Sequence, residues 1–482
     1  MDFPLAQLIP LLAAADGKLG FLISVLVGAV ALLLVLIIVF RVQAFLSLLI
    51  VSALTAIVAG IPITDIPGVI EKGMGSNLGF IAVIIGVGAI FGAMLEHSGG
   101  AQRLAQRLLR VFGEKRAPWA MLVTGFIVSI PVFFDVGLVI VASILFSLTK
   151  RTGKSLLYFG LPLAAAMATT HAFVPPTPGP AYVAYTLGVD MGTMIVVGIA
   201  VGLPTAILAA FVGRKMGEKL FIPVPEGLDI AEERPEEDLP GFGLVAFIIA
   251  LPILLILLGT GIERFFLASD IPAGLALSEY NAALSEKIRE SSLFSQIVIF
   301  CGKPMVALVI GTLVAMIFLG IARGVSREKL LELSTRSLGP AGIIILITGA
   351  GGVFKTILKE TGIADALSEV FGDRFPLVVV AFLLSLVIRL AQGSATVAMV
   401  TAAALVATLA EAGNYSAVEM ALVVVAIASG ATAASHVNDS GFWIVNRYYG
   451  MTVKDTLKSW TVLTTLIGLT GFILAFIASL VL

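Results

Sequence analysis

Two segments of the 482-residue chain place histidine and other polar residues at the end of an apolar, helix-length run. The first is 169–180 (TTHAFVPPTPGP), and the second, 434–441 (ASHVNDSG), begins 265 residues later. Two of the three histidines, His171 and His436, lie at these matching points. An imidazole changes its charge near neutral pH, so either histidine could take up and release a proton. A broken, polar helix repeated within an apolar protein is typical of a transporter's substrate site.

Two more polar segments lie where we predict the tips of helical hairpins. The first, 129–137 (SIPVFFDVG), contains a single ionisable residue, Asp135. Because a carboxylate is costly within a membrane, Asp135 is expected to face a cavity and to handle ions or substrate. The alternative is that Asp135 is the N-cap of the hairpin's second helix. The N-terminus of that helix could in addition donate hydrogen bonds to a substrate anion.

The second tip, 389–396 (RLAQGSAT), begins with a cation. Arg389 could bind a carboxylate through two parallel hydrogen bonds. Alternatively, it extends to the outer membrane interface or pairs with Asp135 or Asp439. Gly393 suits a tight turn, and neutral hydrogen-bonding groups are offered by Gln392, Ser394 and Thr396.

Each helix break also has a purely structural alternative. Four prolines follow His171 and could form a simple turn, with the histidine buried, neutral and bonded to a backbone carbonyl. Asn438, Asp439 and Ser440 are turn formers. However, five of the six residues from Ser435 to Ser440 are polar, which is more than a turn at membrane depth requires.

The sequence therefore predicts one substrate site built from both tips and both breaks. The candidate substrate-binding residues are Ser129, Phe134, Asp135, Gly137, Thr170, His171, Pro176, Thr177, Arg389, Gln392, Gly393, Ser394, Thr396, Ser435, Asn438 and Ser440. The candidates for carrying a coupled proton are Asp135, His171, His436 and Asp439. No catalytic residue, metal site or cofactor is predicted.

Composition places these residues in a membrane. The chain is 59% hydrophobic and 13% charged with a mean hydropathy of +1.08, whereas soluble domains carry about 25% charged residues. Apolar runs such as 21–40, 244–258 and 460–482 predict a polytopic, all-α membrane protein. A net charge of −1 gives no reason to expect nucleic acid as a partner, and the single cysteine, Cys301, excludes an internal disulfide. No secretory signal peptide is expected at the N-terminus.

The two halves of the chain resemble each other. Aligning 88–105 with 351–368 gives six identities in 18 positions, including Gly88 with Gly351 and Phe91 with Phe354. We predict two repeats joined by a cytoplasmic linker, with five transmembrane helices and one re-entrant hairpin in each. The boundaries are 1–213 for the first repeat, 214–240 for the linker and 241–482 for the second repeat.

Within each repeat the predicted elements follow one order: two spans, an amphipathic stretch, a third span, a polar helix, a hairpin, a broken span and a fifth span. In the first repeat they are 20–40, 43–61, 65–76, 78–96, 100–112, 117–149, 155–190 and 191–213. In the second they are 242–260, 296–322, 325–337, 340–358, 362–371, 375–410, 418–447 and 459–481. The segment 118–130 reaches only about 20 Å as a helix, less than the hydrocarbon core of about 30 Å, so each hairpin is expected to be re-entrant.

Charges predict the orientation. Arg and Lys flank the first hairpin on both sides, as at Arg110 and Lys150, which favours the cytoplasmic face. Acidic residues such as Glu369 and Glu411 flank the second hairpin, which favours the outer face. Five spans in each half is an odd number, so the second repeat is expected to be inverted. Both termini are then periplasmic, and the 263–292 loop lies outside as a lid or a solvated connection.

Four stretches resemble the GntP family of gluconate permeases: 96–103 (EHSGGAQR), 133–137 (FFDVG), 170–180 (THAFVPPTPGP) and 435–443 (SHVNDSGFW). The 222–226 segment (IPVPE) is similar as well. The resemblance implies a multi-pass symporter of the bacterial inner membrane, within the ion transporter superfamily. Such carriers take up gluconate and similar small sugar acids, with protons as the coupling ion. It also implies a lipid-embedded homodimer in which a transport domain moves as an elevator against a scaffold domain.

Several alternatives stay open at this point. Members of the family also carry D-serine, glycerate, fructuronate or citrate, and the Phe134-Asp135 pair stands where members often have Tyr-Glu. Coupling to sodium, or antiport, is possible on the same fold. A membrane-embedded enzyme is disfavoured because the chain has no HExxH motif and its histidines are not clustered in sequence. In the favoured reading, sugar hydroxyls contact Ser394, Thr396, Asn438 and Ser440, and the carboxylate contacts backbone N–H groups at the hairpin tips.

Overall fold

The computed structural model describes residues 17–225, 234–268, 271, 277–363, 366, 376–410, 413 and 415–481. Within these ranges every regular element is a helix, as the composition predicts. Most of the predicted polar helix 362–371 lies outside the described residues, as do residues 1–16 of the N-terminal segment.

The first half begins with long apolar helices and continues into shorter ones. Its described helices are α1 (Gly17–Ile38), α2 (Ala44–Val58), α3 (Ile66–His97), α4 (Gly100–Phe112), α5 (Ala117–Val128), α6 (Phe134–Thr152), α7 (Leu156–Phe173), α8 (Pro178–Thr186) and α9 (Met191–Lys219).

The second half follows a 3₁₀ turn at Glu236–Asp238. Its described helices are α10 (Phe242–Gly261), α11 (Leu277–Glu290), α12 (Leu293–Gly302), α13 (Pro304–Ala315), α14 (Arg327–Glu360), α15 (Leu377–Gln392), α16 (Ala395–Ala410), α17 (Ala417–Thr432), α18 (Ser440–Tyr448), α19 (Val453–Thr456) and α20 (Val462–Val481). Short π-helical segments at Ile262–Leu267, Met316–Gly320 and Leu457–Thr461 extend α10 and α13 and connect α19 to α20.

Eight helical segments of the described chain are long and apolar enough to cross a membrane, which makes this an integral membrane protein. We predicted ten spans. The two that fall short are α2, with 15 residues, and α17, with 16. At 1.5 Å per residue each reaches only about 22–24 Å, less than the hydrocarbon thickness of about 30 Å.

The predicted division of two helices is wrong. The stretches 65–76 and 78–96 form one continuous helix, α3, and 325–337 and 340–358 form another, α14, which keeps Pro340 in its interior. The reason is packing: α3 and α14 lie against each other, and a Cβ at Gly73 would sit 2.7 Å from the Cα of Val353. Conversely, the predicted single span 296–322 is divided at Lys303, just before Pro304 starts α13.

Two helix–turn–helix pairs occupy the predicted hairpins. The first is α5 and α6, joined by residues 129–133, and α7 packs against both of them. The second is α15 and α16, which pack against each other and against α17. Gly393 turns the second tip with a φ of 86°, a left-handed conformation that glycine adopts without strain.

The two broken helices follow the hairpins. In the first, α7 ends at Phe173 and α8 begins at Pro178. In the second, α17 ends at Thr432 and α18 begins at Ser440, with Asp439 as its N-cap. Helices α17 and α7 are buried along almost their whole length, and residues 174–177 of the first break are buried as well. The second break is partly open, with Ser435 and Asp439 buried and Val437 and Asn438 exposed.

Candidate functional site

Both hairpin tips and both helix breaks meet at one cavity of about 140 Å³, which we call the inner chamber. It brings together nine of the predicted site residues: Phe134, Asp135, His171, Arg389, Ser394, Thr396, Ser435, Asp439 and Ser440. These residues lie far apart in sequence, and the fold alone makes them neighbours.

An ion pair between Arg389 and Asp439 forms part of the chamber wall. Arg389 is 3% exposed and also donates a hydrogen bond to the carbonyl oxygen of Gly393. The Asp439 carboxylate accepts a second hydrogen bond from the Ser435 hydroxyl, and its Oδ1 accepts a third from the Gly441 backbone N–H at 3.0 Å. Among the alternatives considered for Arg389, the structure shows the pairing with Asp439. This ion pair connects the tip of the second hairpin to the second helix break.

Trp460 and Thr464 line the chamber and were not identified from the sequence. The indole Nε1–H of Trp460 donates to the Ser435 hydroxyl at 2.9 Å, and the Trp460 ring stacks on Phe134 with centroids 5.5 Å apart. The hydroxyl of Thr464 accepts from the backbone N–H of Ser435 at 3.1 Å. The only sequence signal was an isolated tryptophan at the start of an apolar run, which normally indicates an interface anchor.

Asp135 and His171, both from the first half of the chain, also line the chamber. Asp135 is an exposed residue in the first turn of α6, and the N-cap of that helix is Phe133, so the N-cap alternative for Asp135 is wrong. The Nδ1 atom of His171 is buried without a hydrogen-bond partner among the described residues, so the structural alternative, a bond to a backbone carbonyl, is not seen at this atom. The His171 ring meets Phe133 edge-on, with centroids 6.1 Å apart.

A second, larger cavity of about 790 Å³ adjoins the inner chamber, and we call it the vestibule. The two cavities share four lining residues: Asp135, His171, Thr396 and Ser440. Ionisable residues of α3, of the linker and of α14 also line the vestibule, namely Glu96, His97, Arg234, Lys329 and Arg336. The vestibule therefore leads from the surface to the boundary of the inner chamber.

Several predicted site residues do not line the chamber. The hydroxyls of Ser129 and Thr170 are buried without a described partner, and a side chain at Gly137 would overlap Met167. Pro176 and Thr177 line a separate cavity of about 20 Å³ beside the first tip. These residues pack the first hairpin against the first broken helix.

The remaining residues connect the second tip to the second break. The Asn438 amide donates to the Leu390 carbonyl at 3.0 Å, and the Gln392 side chain accepts from the Ser394 backbone N–H at 3.1 Å. Gly393 lies so close to Asn438 that a side chain there would overlap its carbonyl. His436 is half-buried with Nδ1 2.9 Å from the Ala434 carbonyl oxygen, and it lines neither cavity.

The lining of the inner chamber is chemically uneven. All six of its hydroxyl side chains come from the second half of the chain: Ser394, Thr396, Thr432, Ser435, Ser440 and Thr464. The first half contributes an aromatic ring, a carboxylate and an imidazole through Phe134, Asp135 and His171. Within the described residues, no group of three or more His, Cys, Asp or Glu could hold a metal ion.

An all-helical membrane protein with a polar chamber between broken helices and hairpin tips is built as a transporter. The chain belongs to the GntP family: the family model described as GntP family permease matches residues 21–481. The resemblance found in the sequence is thereby confirmed, and the protein is a transporter rather than an enzyme.

Two relatives cover nearly the whole chain. The low-affinity gluconate transporter of Escherichia coli is 36% identical over 95% of this chain and 98% of its own length. The gluconate permease of Bacillus licheniformis is 35% identical over 93% of this chain and 97% of its own. Among solved structures, the Alcanivorax borkumensis YdaH transporter shares the fold with a TM-score of 0.61 at 14% identity, over 86% of this chain and 87% of that chain.

Proposed function

We propose that the protein imports gluconate, or a closely related small sugar acid, across the bacterial inner membrane. The observation that carries this proposal is the lining of the inner chamber, where six hydroxyl side chains and the first residues of helices α6, α16 and α18 border one space. A polyhydroxy acid needs hydroxyl partners along its chain and donors for its carboxylate, and this lining offers both. Relatives of nearly equal length that are named for gluconate support the same substrate.

The chamber suggests how such an anion is held. Helices α6 and α18 begin at Phe134 and Ser440, so backbone N–H groups of both first turns are available to the substrate carboxylate. The sugar hydroxyls contact Ser394, Thr396 and Ser440. Because Arg389 is already paired with Asp439, it shapes the site and does not bind the anion alone.

We assign the coupled proton to Asp135 or His171. Both side chains line the inner chamber and the vestibule, so a proton on either could travel with the substrate. Asp439 is held in its ion pair, and His436 lines neither cavity, which makes these two candidates less suitable. A proton carried with the anion would cancel its charge and lower the cost of crossing the membrane.

The transport cycle that we propose is an elevator within a homodimer built on inverted repeats. In both halves a long helix, α3 or α14, precedes a hairpin, a broken helix and a final span in the same order. The hairpins and broken helices that surround the inner chamber would move together as the transport domain. The linker would face the cytoplasm and both termini the periplasm, with the exposed apolar side chains against lipid.

Uptake of labelled gluconate into proteoliposomes tests this function. An inward proton gradient and an inward sodium gradient are imposed separately, and a panel of sugar acids, D-serine, glycerate and citrate is added as competitors. Proton-driven uptake that sugar acids compete for is the expected result. Flux that follows sodium would overturn the proton assignment, and absence of gluconate flux under both gradients would move the substrate to another small acid or amino acid.

A further inference from the structure

We propose that the vestibule contains a second anion-binding site, at which the transported carboxylate is held on its way between the inner chamber and solution. The site is formed by Arg234, Lys329 and Arg336, all of which line the vestibule. This inference rests on the proposed function, because it takes the same class of ligand, a small organic carboxylate.

The charges of the vestibule wall favour an anion. Its lining contains three permanent cations and two carboxylates, those of Glu96 and Asp135, so the cations outnumber the carboxylates by one, and they come from the linker and α14 while Asp135 lies at the boundary with the inner chamber. A cleft with an excess of positive charge raises the local concentration of anions. The volume of about 790 Å³ lies within the range of about 300–1,000 Å³ that is usual for small-molecule sites.

Two of the cations share one face of α14. Lys329 and Arg336 are seven residues apart, with Leu333 between them, and all three line the vestibule. Lys329 also pairs with Glu332 at 2.9 Å, so part of its charge is compensated. Arg336 is exposed and offers a planar guanidinium, which matches the geometry of a carboxylate.

The third cation, Arg234, is supplied by the linker between the halves and is fixed in place. Its guanidinium Nη1 donates to the His97 carbonyl at 2.8 Å, and its own carbonyl accepts from the Gln102 amide at 3.1 Å. Glu236 anchors the same segment to Arg103 at 2.5 Å and to Arg110. A guanidinium has five N–H donors, so Arg234 keeps others for a ligand in the vestibule.

The position of this site gives it a function in transport. The inner boundary of the vestibule includes Asp135, whose carboxylate would repel an approaching anion when it is charged. A cationic site in front of that boundary holds the anion close by until Asp135 is protonated. The site would therefore lower the substrate concentration needed at the vestibule face and leave the opposite face unaffected.

The test compares the double variant Arg234→Gln/Arg336→Gln with wild type in inside-out and right-side-out vesicles, with labelled gluconate as the probe. The basic residues that flank the first hairpin favour a cytoplasmic position for it and for the linker, so the vestibule is expected to face the bath in inside-out vesicles. There the double variant is expected to raise KM about three- to tenfold, with less than a twofold change in right-side-out vesicles. Added salt should raise the wild-type KM toward that of the variant.

The matched control is Arg327→Gln, which removes a cation from the same helix but does not line the vestibule. The proposal would be overturned if the double variant and Arg327→Gln had the same KM for gluconate in both vesicle orientations. It would also be overturned if the double variant raised KM equally in the two orientations. Absence of gluconate flux in the wild type would instead contradict the proposed function. In that case, equilibrium dialysis of labelled citrate against wild type and double variant tests the anion site, and equal binding would overturn it.

Discussion

Arg389 and Asp439 pair across the inner chamber, which ties the tip of the second hairpin to the second helix break. Their side chains are only 4% and 11% exposed. Removal of one partner from a buried pair leaves an uncompensated charge, so the pair fixes the relative position of the two elements even if its own net stabilisation is small. The first tip has no such pair among the described residues, since Asp135 and His171 make no described hydrogen bond.

We expect Asp439→Asn to destabilise the protein by about 3–5 kcal/mol, because Arg389 is then buried without its counter-charge. Thermal unfolding in detergent measures this loss. The double variant Arg389→Gln/Asp439→Asn should recover a large part of the stability. Losses that simply add in the double variant would show that the two side chains are not coupled.

Trp460→Phe keeps the aromatic contact with Phe134 but removes the hydrogen bond to Ser435. A hydrogen bond of this kind contributes about 0.5–1.5 kcal/mol, so KM for gluconate should rise by up to about tenfold. Trp443→Phe is the matched control, because its Nε1–H donates to the Val437 carbonyl at 2.8 Å but Trp443 does not line the chamber. Equal effects of the two changes on KM would argue against a function of Trp460 in the site.

Asp135→Asn is expected to abolish uptake driven by a proton gradient while exchange of labelled for unlabelled gluconate continues. The reason is that an amide keeps the shape of the side chain but cannot carry a proton. Transport assays in proteoliposomes measure both activities. Asp65→Asn, at an exposed position before α3, should leave both unchanged. Proton-driven uptake that survives in Asp135→Asn would assign the proton to another residue, with His171 the next to test.

Gly198→Ala should destabilise the protein by about 1–3 kcal/mol, because a Cβ there overlaps the Phe173 carbonyl at the end of α7 and backbone cannot easily move away. Gly79→Ala, within α3, meets nothing within 4 Å and should stabilise by up to about 1 kcal/mol. Unfolding temperatures of the two variants measure the difference. A stable Gly198→Ala variant would mean that α9 lies farther from the first break.

The anchor between the linker and α4 should depend on pH in one direction. Hydrogen bonds and charges of Arg110, and then of Arg103, lower the pKa of Glu236 below its ordinary value of 4.5. A lowered carboxylate pKa stabilises the anchor fully above that value, and the stabilisation is lost as the pH falls through the lower folded-state pKa. At neutral pH, Glu236→Gln should therefore speed amide exchange of residues 234–240.

The neighbouring Glu237→Gln is the control for this exchange experiment, because no ion pair of Glu237 is described. The difference between the two variants should disappear in acid, where Glu236 is protonated in the unmodified protein as well. Equal exchange rates at neutral pH would show that the Glu236 contacts do not hold the linker.

The sequence predicted nine of the residues that line the inner chamber, because an ionisable or polar side chain in an apolar helix must meet a cavity or a polar partner. Asp135, His171 and Arg389 had to meet a cavity or each other, and they do. Trp460 and Thr464 were missed because their partner, Ser435, lies more than 20 residues away and is reached only once α20 packs beside the break. Gln392 and Asn438 were assigned to substrate although their hydrogen bonds go to backbone groups of the tip.

The boundaries of α3 and α14 were predicted less well, again because contacts between distant parts of the chain decide them. We separated the amphipathic stretches 65–76 and 325–337 from the apolar spans that follow them, although both parts belong to one helix in each half. In the folded chain Gly73 and Gly349 let α3 and α14 approach closely, and both helices run without a break through this contact. Local propensity could not reveal this, because the stabilising contact comes from the other half of the protein.

The uneven lining of the inner chamber has an evolutionary consequence. All six hydroxyl side chains that line the chamber belong to residues 394–464, while the first half contributes Asp135 and His171. Selection could therefore alter which acid is recognised through changes in the second half, without disturbing the residues that we assign to energy coupling. Members of such a family could diverge in substrate specificity while keeping the same coupling ion.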